Sequence, residues 1–109
     1  MATDKLMHPV VKAAIEAMSH SDSEAWFALF SKDVSLTDDG ESCELVEWSN
    51  TELFSDEKGF IQGVERVEDK GLTVYARFHS AQWGTFPTFW KFEIRNGKIS
   101  RLDVGMVDG

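Results

Sequence analysis

The feature that most constrains this chain is a series of four strand-like segments that fills its C-terminal half. The segments are FIQGVERVE, LTVYARFHSAQWG, TFPTFWKFEIR and ISRLDVGMV, and turn residues separate them at Asp69-Lys70-Gly71, Gly84 and Asn96-Gly97. Asn-Gly is typical of a two-residue hairpin turn, in which both residues need a positive φ. Because consecutive strands joined by short turns pair with each other, the pattern predicts an antiparallel meander.

Alternation within these segments predicts one buried and one outer face of the sheet. The inward positions are Leu72, Val74, Ala76 and Phe78, then Phe86, Trp90, Phe92 and Ile94, then Leu102, Val104 and Met106. The outer face is polar, and Arg77 and Asp103 are expected to pair there in solvent. It also carries Tyr75, Trp83 and Phe89, which favour a homodimer through this face.

The N-terminal half has the periodicity of helices. Pro9 suits a first helical turn, and the apolar spacing that follows predicts a helix to Ser19. Ser21 and Glu24 have the spacing of a capping box, so a second short helix is expected after a break at 20–22. The pair should pack as a hairpin.

A first strand and a third helix are expected next. Alternation over 34–37 predicts the strand, and Asp38-Asp39-Gly40 supplies the turn that ends it. The segment from Ser42 to Ser55 has apolar residues at roughly helical spacing. With 109 residues, the chain is expected to form one α+β domain with three N-terminal helices packed on a curved, mainly antiparallel sheet.

The composition excludes several classes of partner. Nineteen acidic and eleven basic side chains give a net charge of -8, so nucleic-acid phosphates and anionic lipid surfaces repel the chain. No stretch approaches the roughly 20 apolar residues of a membrane span, and the polar N-terminus lacks a signal-peptide pattern. We therefore expect a cytoplasmic protein with no nucleic-acid or membrane partner.

Cysteine and histidine usage argues against a thiol or metal site. Cys43 is the single cysteine, and the acidic neighbours in GESCELVE should raise its thiol pKa and make it a poor nucleophile. His8, His20 and His79 are scattered along the chain, so no metal is predicted. No cofactor is expected.

The order of the elements resembles a known superfamily. Two short helices, the segment AWFALFSKDVSLTDDG, a third helix and a meander ending in FWKFEIRNGKISRLDVG are similar to the nuclear-transport-factor-2-like superfamily, above all its SnoaL-like and ketosteroid-isomerase-like members. The resemblance covers nearly the whole chain and implies a single SnoaL-like domain, 1–109, with a cystatin-like, cone-shaped roll. It also implies a mostly apolar pocket and a frequent homodimer through the sheet. Since this scaffold hosts isomerases, cyclases, dehydratases, hydrolases and binding modules, it implies no one reaction.

The isomerase-like members imply one catalytic residue. Their general-base Asp stands eight positions after the Phe that closes the second helix, as Asp38 does after Phe30. That carboxylate moves a proton beside a carbonyl while two donors stabilise the enolate. Here the donor positions fall on Ala14, which cannot donate, and on Trp90, which offers one indole N–H. Loss of such a donor typically costs ~3 kcal/mol, so steroid isomerisation by this mechanism is not expected.

Two functions remain open on this reasoning, and the Asp38-Asp39-Gly40 sequence also explains Asp38 as an ordinary turn residue without any chemistry. The first is a binding protein for a small apolar organic molecule, with isomerase- or lyase-type acid/base chemistry by Asp38. Its predicted pocket-lining residues are Trp26, Phe30, Trp48, Phe54, Phe78, Trp90, Phe92, Leu102, Val104 and Met106. The second is a non-catalytic binding or dimerisation module whose cone is filled by its own side chains. An open cavity reaching Asp38 favours the first, and Trp48 and Trp90 closing the mouth favour the second.

Overall fold

The computed structural model describes residues 7–54, 59–80 and 84–107. Within these ranges the helices are α1 (Pro9–Ser19), α2 (Ser23–Ala28) and α3 (Leu45–Glu52). The strands are β1 (Phe30–Asp38), β2 (Glu41–Cys43), β3 (Phe60–Glu68), β4 (Thr73–Ser80), β5 (Gly84–Arg95) and β6 (Lys98–Met106). Ser55, the predicted end of the third helix, lies outside the described residues.

The strands form one curved sheet in the order β2-β1-β6-β5-β4-β3. β3, β4 and β5 each pair antiparallel with the next strand along the chain, which confirms the predicted meander. β1 lies beside β6 and runs parallel to it. The predicted class, α+β with three helices on a curved, mainly antiparallel sheet, is confirmed.

Two tight turns with positive φ shape the sheet. Asn96 and Gly97, with φ of 53° and 77°, join β5 to β6, which confirms the predicted hairpin. Asp39 and Gly40, with φ of 50° and 86°, join β1 to β2. Such a turn returns the chain antiparallel to the strand it leaves. The chain therefore folds back on β1 before α3 begins.

This second hairpin corrects the prediction that the third helix starts at Ser42. Ser42 and Cys43 belong to β2, and α3 begins at Leu45. Glu44 fixes the helix start because its carboxylate accepts hydrogen bonds from the backbone N–H groups of Val46 at 2.7 Å and Glu47 at 3.1 Å. A side chain that satisfies the free N–H groups of a first turn ends the preceding extended segment.

Two other predicted boundaries are also wrong. The cap of α2 is Asp22, whose carboxylate accepts from the Ala25 N–H at 3.1 Å, rather than Ser21, which has a left-handed φ of 55°. β1 begins at Phe30, so this residue opens the strand instead of closing the helix. The tertiary pairing of Phe30 with Ile99 of β6 extends the strand beyond its local alternation.

The inward faces of α1 and the sheet form the core, as alternation predicted. Val11 and Ala14 of α1 and Val74 of β4 are fully buried. Met106 differs from its inward prediction, since it is 52% exposed at the last position of β6, beyond the buried Val104. Among the described residues, no helix combines the length and the apolar character that crossing a membrane requires.

Candidate functional site

Asp38 lies half-buried at the end of β1, directly before the tight turn to β2. The next residue anchors this turn to β6: the Asp39 N–H donates to the Val104 carbonyl at 2.9 Å, and its carboxylate accepts from the Met106 N–H at 2.9 Å. Gly105 leaves room for this contact, because a Cβ there would lie 2.7 Å from Asp39 Oδ1. The hairpin that carries Asp38 is thereby fixed to the sheet.

The indole of Trp48 binds the Asp38 carboxylate. Trp48 Nε1 donates to Asp38 Oδ2 at 2.8 Å, which connects α3 to the end of β1. The same ring packs edge-to-face against Trp90 of β5, with centroids 6.2 Å apart and an interplanar angle of 69°. Trp48 and Trp90, the two residues predicted to close the mouth of the cone, are therefore in contact, and Trp48 is also bound to Asp38.

The indole of Trp90 is not available as the oxyanion donor that the resemblance implies. Trp90 Nε1 donates to Thr88 Oγ1 at 2.9 Å, and Thr88 Oγ1 donates to the Ala76 carbonyl at 2.8 Å. These groups are buried, so the indole N–H is already satisfied inside the sheet. Ala14, at the other donor position, is fully buried in α1. Neither position offers a donor to a ligand.

Nine of the ten residues predicted to line an apolar pocket belong to one contiguous core or pack against it, and the exposed Met106 is the exception. Ring centroids lie 4.9 Å apart for Trp26 and Phe30, and 5.9 Å apart for Phe78 and Trp90. Phe54 is half-buried against Trp26 at 6.4 Å. Buried in the same core are Phe92, Leu102 and Val104.

A cavity of about 340 Å³ lies beside Trp48, at the junction of β2 and α3. Its lining residues are Ser42, Cys43, Glu44, Glu47, Trp48, Thr51 and Glu52. Of the ten predicted lining residues, Trp48 alone borders it, and lining by the other nine stays a prediction. A second cavity of about 230 Å³, bordered by Met18, Phe60 and Ile61 among others, involves none of the ten.

Negative charge dominates the electrostatics around the larger cavity. Burial raises the pKa of Glu52, and the charge of Asp38 raises it further. Burial also raises the pKa of the Cys43 thiol, with Asp38, Glu41 and Glu52 adding to the effect. The raised pKa has the direction expected from the acidic neighbours of Cys43, with burial as its larger cause. Sequence reasoning missed Glu52, although its spacing of four residues from Trp48 on α3 predicts that both lie on one helix face.

The outer sheet face carries aromatic and cationic side chains in pairs. The Arg66 guanidinium lies 4.1 Å from the centre of the Tyr75 ring, and Lys91 Nζ lies 5.6 Å from that of Phe89. Trp83 lies outside the described residues. The prediction that Arg77 pairs with Asp103 is wrong, because Arg77 lies beside Pro87 of β5 whereas Asp103 lies beside Lys91, four positions further along that strand.

Asp103 instead accepts from Arg101 at 2.9 Å and from the Thr37 hydroxyl. Burial alone would raise the pKa of Asp103. The hydrogen bonds from Arg101 and Thr37 and the charges of Arg101 and Lys91 outweigh that effect and lower the pKa. Asp103 is therefore committed to its neighbours on the outer face.

Histidine side chains have local structural roles. His8 caps α1 by accepting from the Val10 N–H at 3.1 Å, and His79 bonds Thr85 at 2.9 Å on the sheet. Within residues 7–54, 59–80 and 84–107, no group of three or more His, Cys, Asp or Glu side chains has the arrangement of a metal site.

Comparison with known proteins gives structural similarity without detectable sequence similarity. No known family profile and no curated protein matches the sequence. An NTF2-like protein of unknown function from Cytophaga hutchinsonii superposes with a TM-score of 0.71 at 15% identity, over 90% of this chain and 87% of that one. A proposed polyketide cyclase from Sinorhizobium meliloti gives 0.71 at 18% identity, over 93% and 97%. A proposed ketosteroid isomerase from Kribbella flavida gives 0.70 at 12% identity, over 92% and 76%.

Proposed function

We propose that this chain, which has the nuclear-transport-factor-2-like fold, binds a small organic molecule in the cavity between β2 and α3 and uses Asp38 for acid/base chemistry there. The polyketide-cyclase and ketosteroid-isomerase names of structural neighbours support the ligand class, because both activities act on small organic compounds. At identities below 20% these names support a class of ligand and not a substrate.

The observation that carries the proposal is the hydrogen bond from Trp48, which lines the cavity, to Asp38, which is not itself among the lining residues. Trp48 connects the two, since its indole N–H binds Asp38 at 2.8 Å and its side chain lines the cavity. A half-buried carboxylate held by one donor keeps its second oxygen free to take a proton. A volume of about 340 Å³ is at the small end of the range for ligand sites.

The chemistry proposed is proton transfer of the isomerase or lyase type, with no cofactor. Asp38 removes a proton from a carbon next to a carbonyl and returns it to the same or a neighbouring carbon. The donors of steroid isomerases are missing, because Ala14 has no donor group and the Trp90 N–H binds Thr88. Since the cavity measures about 340 Å³, we propose a reaction on a carbon acid smaller than a steroid.

Deuterium exchange tests this function without knowledge of the natural substrate. Cyclohexanone and cyclopentanone in D₂O lose their protons next to the carbonyl at a rate that proton NMR follows directly. We expect the protein to accelerate this loss, and we expect Asp38→Asn to remove the acceleration while keeping an oxygen for the Trp48 N–H. No acceleration by the wild type, or equal acceleration by the variant, contradicts the proposal. The matched control is Asp33→Asn, an exposed position on the same strand.

A second candidate is a non-catalytic module that associates through the outer sheet face. The contact between Trp48 and Trp90 at the mouth and the packed aromatic core support it. Tyr75 and Phe89, each under a cation, and Trp83 would then form a homodimer interface. Light scattering tests this candidate, because a dimer gives about twice the 12.3 kDa chain mass. Tyr75→Glu places a charge in the proposed interface and should return the measured mass to that of one chain. A monomer at all concentrations rejects this candidate.

The proposed setting is the cytoplasm, with neither nucleic acid nor membrane as a partner. The net charge of -8 and the single cysteine support it. Fractionation of the native host that places the protein in another compartment would contradict it.

A further inference from the structure

We propose that Asp39 is a positioning residue of this site. Its side chain binds the hairpin after β1 to the end of β6 and thereby holds the Asp38 carboxylate on the Trp48 indole. The inference rests on the proposed function, because it gives Asp39 a part in the chemistry of Asp38. Asp39 is not among the residues that line the larger cavity, so its part is to place another group and not to touch the ligand.

The turn after Asp38 leaves one hydrogen bond of the sheet to be made by a side chain. Asp38 lies beside Val104 in the parallel pairing of β1 with β6, and the Asp39 N–H continues this pairing by donating to the Val104 carbonyl at 2.9 Å. In a regular parallel pair of this register, the next bond runs from the N–H of residue 106 to the backbone carbonyl of residue 39. The Met106 N–H instead donates to Asp39 Oδ1 at 2.9 Å. The side chain of Asp39 therefore replaces a backbone acceptor where the chain turns away from β6.

Asp39 meets two requirements at once. Its φ is 50°, and the turn continues through Gly40 with a φ of 86°. Asp, Asn and Gly adopt a left-handed backbone most readily, and of these Asp and Asn add a short side-chain acceptor for nearby N–H groups. A turn of the same shape with glycine at position 39 would leave the Met106 N–H without this acceptor.

The facing strand leaves space for the Asp39 carboxylate. Gly105 is buried between Val104 and Met106 on β6. A Cβ on Gly105 would lie 2.7 Å from Asp39 Oδ1 and 2.8 Å from the Phe89 ring, which is closer than Cβ atoms approach other atoms. The bond between Asp39 and Met106 therefore depends on matched residues on the turn and on β6.

The position of the Asp38 carboxylate depends on this attachment. On its other side, β1 pairs with β2, an edge strand of three residues. The carboxylate is bound to α3 by the Trp48 indole at 2.8 Å. N–H···O hydrogen bonds extend to about 3.2 Å, so a displacement of Asp38 by about 1 Å breaks this one. Release of Asp39 from β6 frees the residue next to Asp38 and permits such a displacement.

The Trp48 indole N–H resonance, followed by two-dimensional nitrogen–proton NMR, tests the positioning without a ligand. Asp39→Gly removes the acceptor but tolerates the positive φ, whereas Asp39→Asn keeps both the acceptor and the turn. We expect Asp39→Gly to move the Trp48 signal toward its position in Asp38→Ala, where the bond is absent. Asp39→Asn should leave it near the wild-type position. The buried indole signals of Trp26 and Trp90 should stay in place in every variant, because their bonds lie in the core.

Asn96→Gly is the matched control for the change in turn chemistry. Asn96 begins the turn between β5 and β6, has a similar φ of 53° and is likewise followed by a glycine. This variant should leave the Trp48 signal unchanged. An unchanged Trp48 signal in Asp39→Gly overturns the inference, and so does an equal displacement in Asp39→Gly and Asp39→Asn.

Two further measurements do not depend on the folding of Asp39→Gly. Gly105→Ala presses on the Asp39 carboxylate from β6 and should displace the Trp48 signal in the same direction. In the wild type, the Met106 amide should exchange with D₂O more slowly than in an unfolded chain, because its N–H is bound to Asp39. A stationary Trp48 signal in Gly105→Ala, or unprotected exchange at Met106, contradicts the inference.

Deuterium exchange of cyclohexanone tests the consequence for the reaction. Misplacement by about 1 Å can reduce a rate by about 100-fold, so Asp39→Gly should lower kcat by about 10- to 100-fold. KM should stay unchanged because Asp39 does not border the cavity, and Asp39→Asn should restore most of the rate. A wild-type kcat in Asp39→Gly overturns the role of Asp39 in the reaction. If the wild type itself gives no exchange, the proposed function fails, whereas the Trp48 signal still decides whether Asp39 positions Asp38.

Discussion

The indole nitrogen of Trp48 lies 2.8 Å from a carboxylate oxygen of Asp38, so a side chain of α3 closes directly on the last residue of β1. The bond joins α3 to β1, and its two residues are ten positions apart in sequence. The turn from β1 to β2 lies between them. The bond determines where the carboxylate of Asp38 points.

Trp48→Phe tests the contribution of this bond to stability. Phe keeps an aromatic ring against Trp90 but cannot donate to Asp38, and hydrogen bonds to charged groups contribute about 1.5–3 kcal/mol. Trp48 and Asp38 are partly exposed, which reduces the contribution of their hydrogen bond. We therefore expect urea denaturation to show a loss of about 1–2 kcal/mol in the free energy of unfolding. Val46→Ala, at an exposed position on the same helix, should change it little. Equal stability of Trp48→Phe and wild type would show that the bond is not formed in solution.

Gly105→Ala tests how the Asp38 hairpin is attached to the sheet. An added Cβ would lie 2.7 Å from Asp39 Oδ1 and 2.8 Å from the Phe89 ring, so the hairpin or the ring must move. Overpacking of this kind costs about 1–3 kcal/mol. Gly63→Ala is the matched control, because nothing lies within 4 Å of a Cβ there. A thermal midpoint for Gly105→Ala at or above that of Gly63→Ala would contradict the described packing.

Thr88→Val tests the buried network behind Trp90. The change keeps the side-chain shape but removes the hydroxyl that accepts the Trp90 N–H and donates to the Ala76 carbonyl. An unsatisfied buried donor costs about 1–3 kcal/mol, so we expect a loss of that order in the free energy of unfolding. Thr85 lies on the same strand as Thr88, and its hydroxyl makes an exposed hydrogen bond to His79 of β4. Thr85→Val removes this bond and should lower the free energy of unfolding by less. Equal losses in both variants would refute the buried network.

The raised pKa of Glu52 predicts a pH dependence of stability. The folded state holds this proton more tightly than the unfolded state, so the free energy of unfolding should fall as pH rises from the ordinary value of 4.5 through the folded pKa. Glu52→Gln removes the titrating group, and its stability relative to wild type should therefore increase across that pH range. Chemical denaturation at several pH values measures this, with low salt to limit screening. Parallel curves for the two proteins would show that Glu52 is not perturbed.

Local signals predicted the meander well, and long-range pairings could not be predicted. Asn96-Gly97 determines a hairpin through its own backbone preferences, whatever surrounds it. By contrast, the parallel pairing of β1 with β6 joins Leu36 to Leu102 across most of the chain, and no turn signal encodes it. β2 was missed for a related reason, since Glu41–Cys43 is only three residues long and forms a strand by pairing with β1.

Of the candidate site, the sequence predicted Asp38 but not the side chains that surround it. The family resemblance indicated Asp38 as a catalytic residue. The hydrogen bond from Trp48 and the raised pKa of Glu52 depend instead on how α3 packs beside the β1–β2 hairpin. Alternation identified the buried aromatic residues but does not separate a packed core from a lined pocket. That distinction depends on ring contacts such as those of Trp90 with Phe78 and Trp48.

The most direct test of a ligand site beside Asp38 is the indole N–H resonance of Trp48 during a cyclohexanone titration, followed by two-dimensional nitrogen–proton NMR. Trp48→Phe assigns the peak by its loss. We expect the Trp48 signal to shift saturably while that of Trp26, buried and bonded to Ser49, stays in place. A stationary Trp48 signal, with shifts confined to residues of the outer sheet face such as Tyr75 and Phe89, would contradict the account.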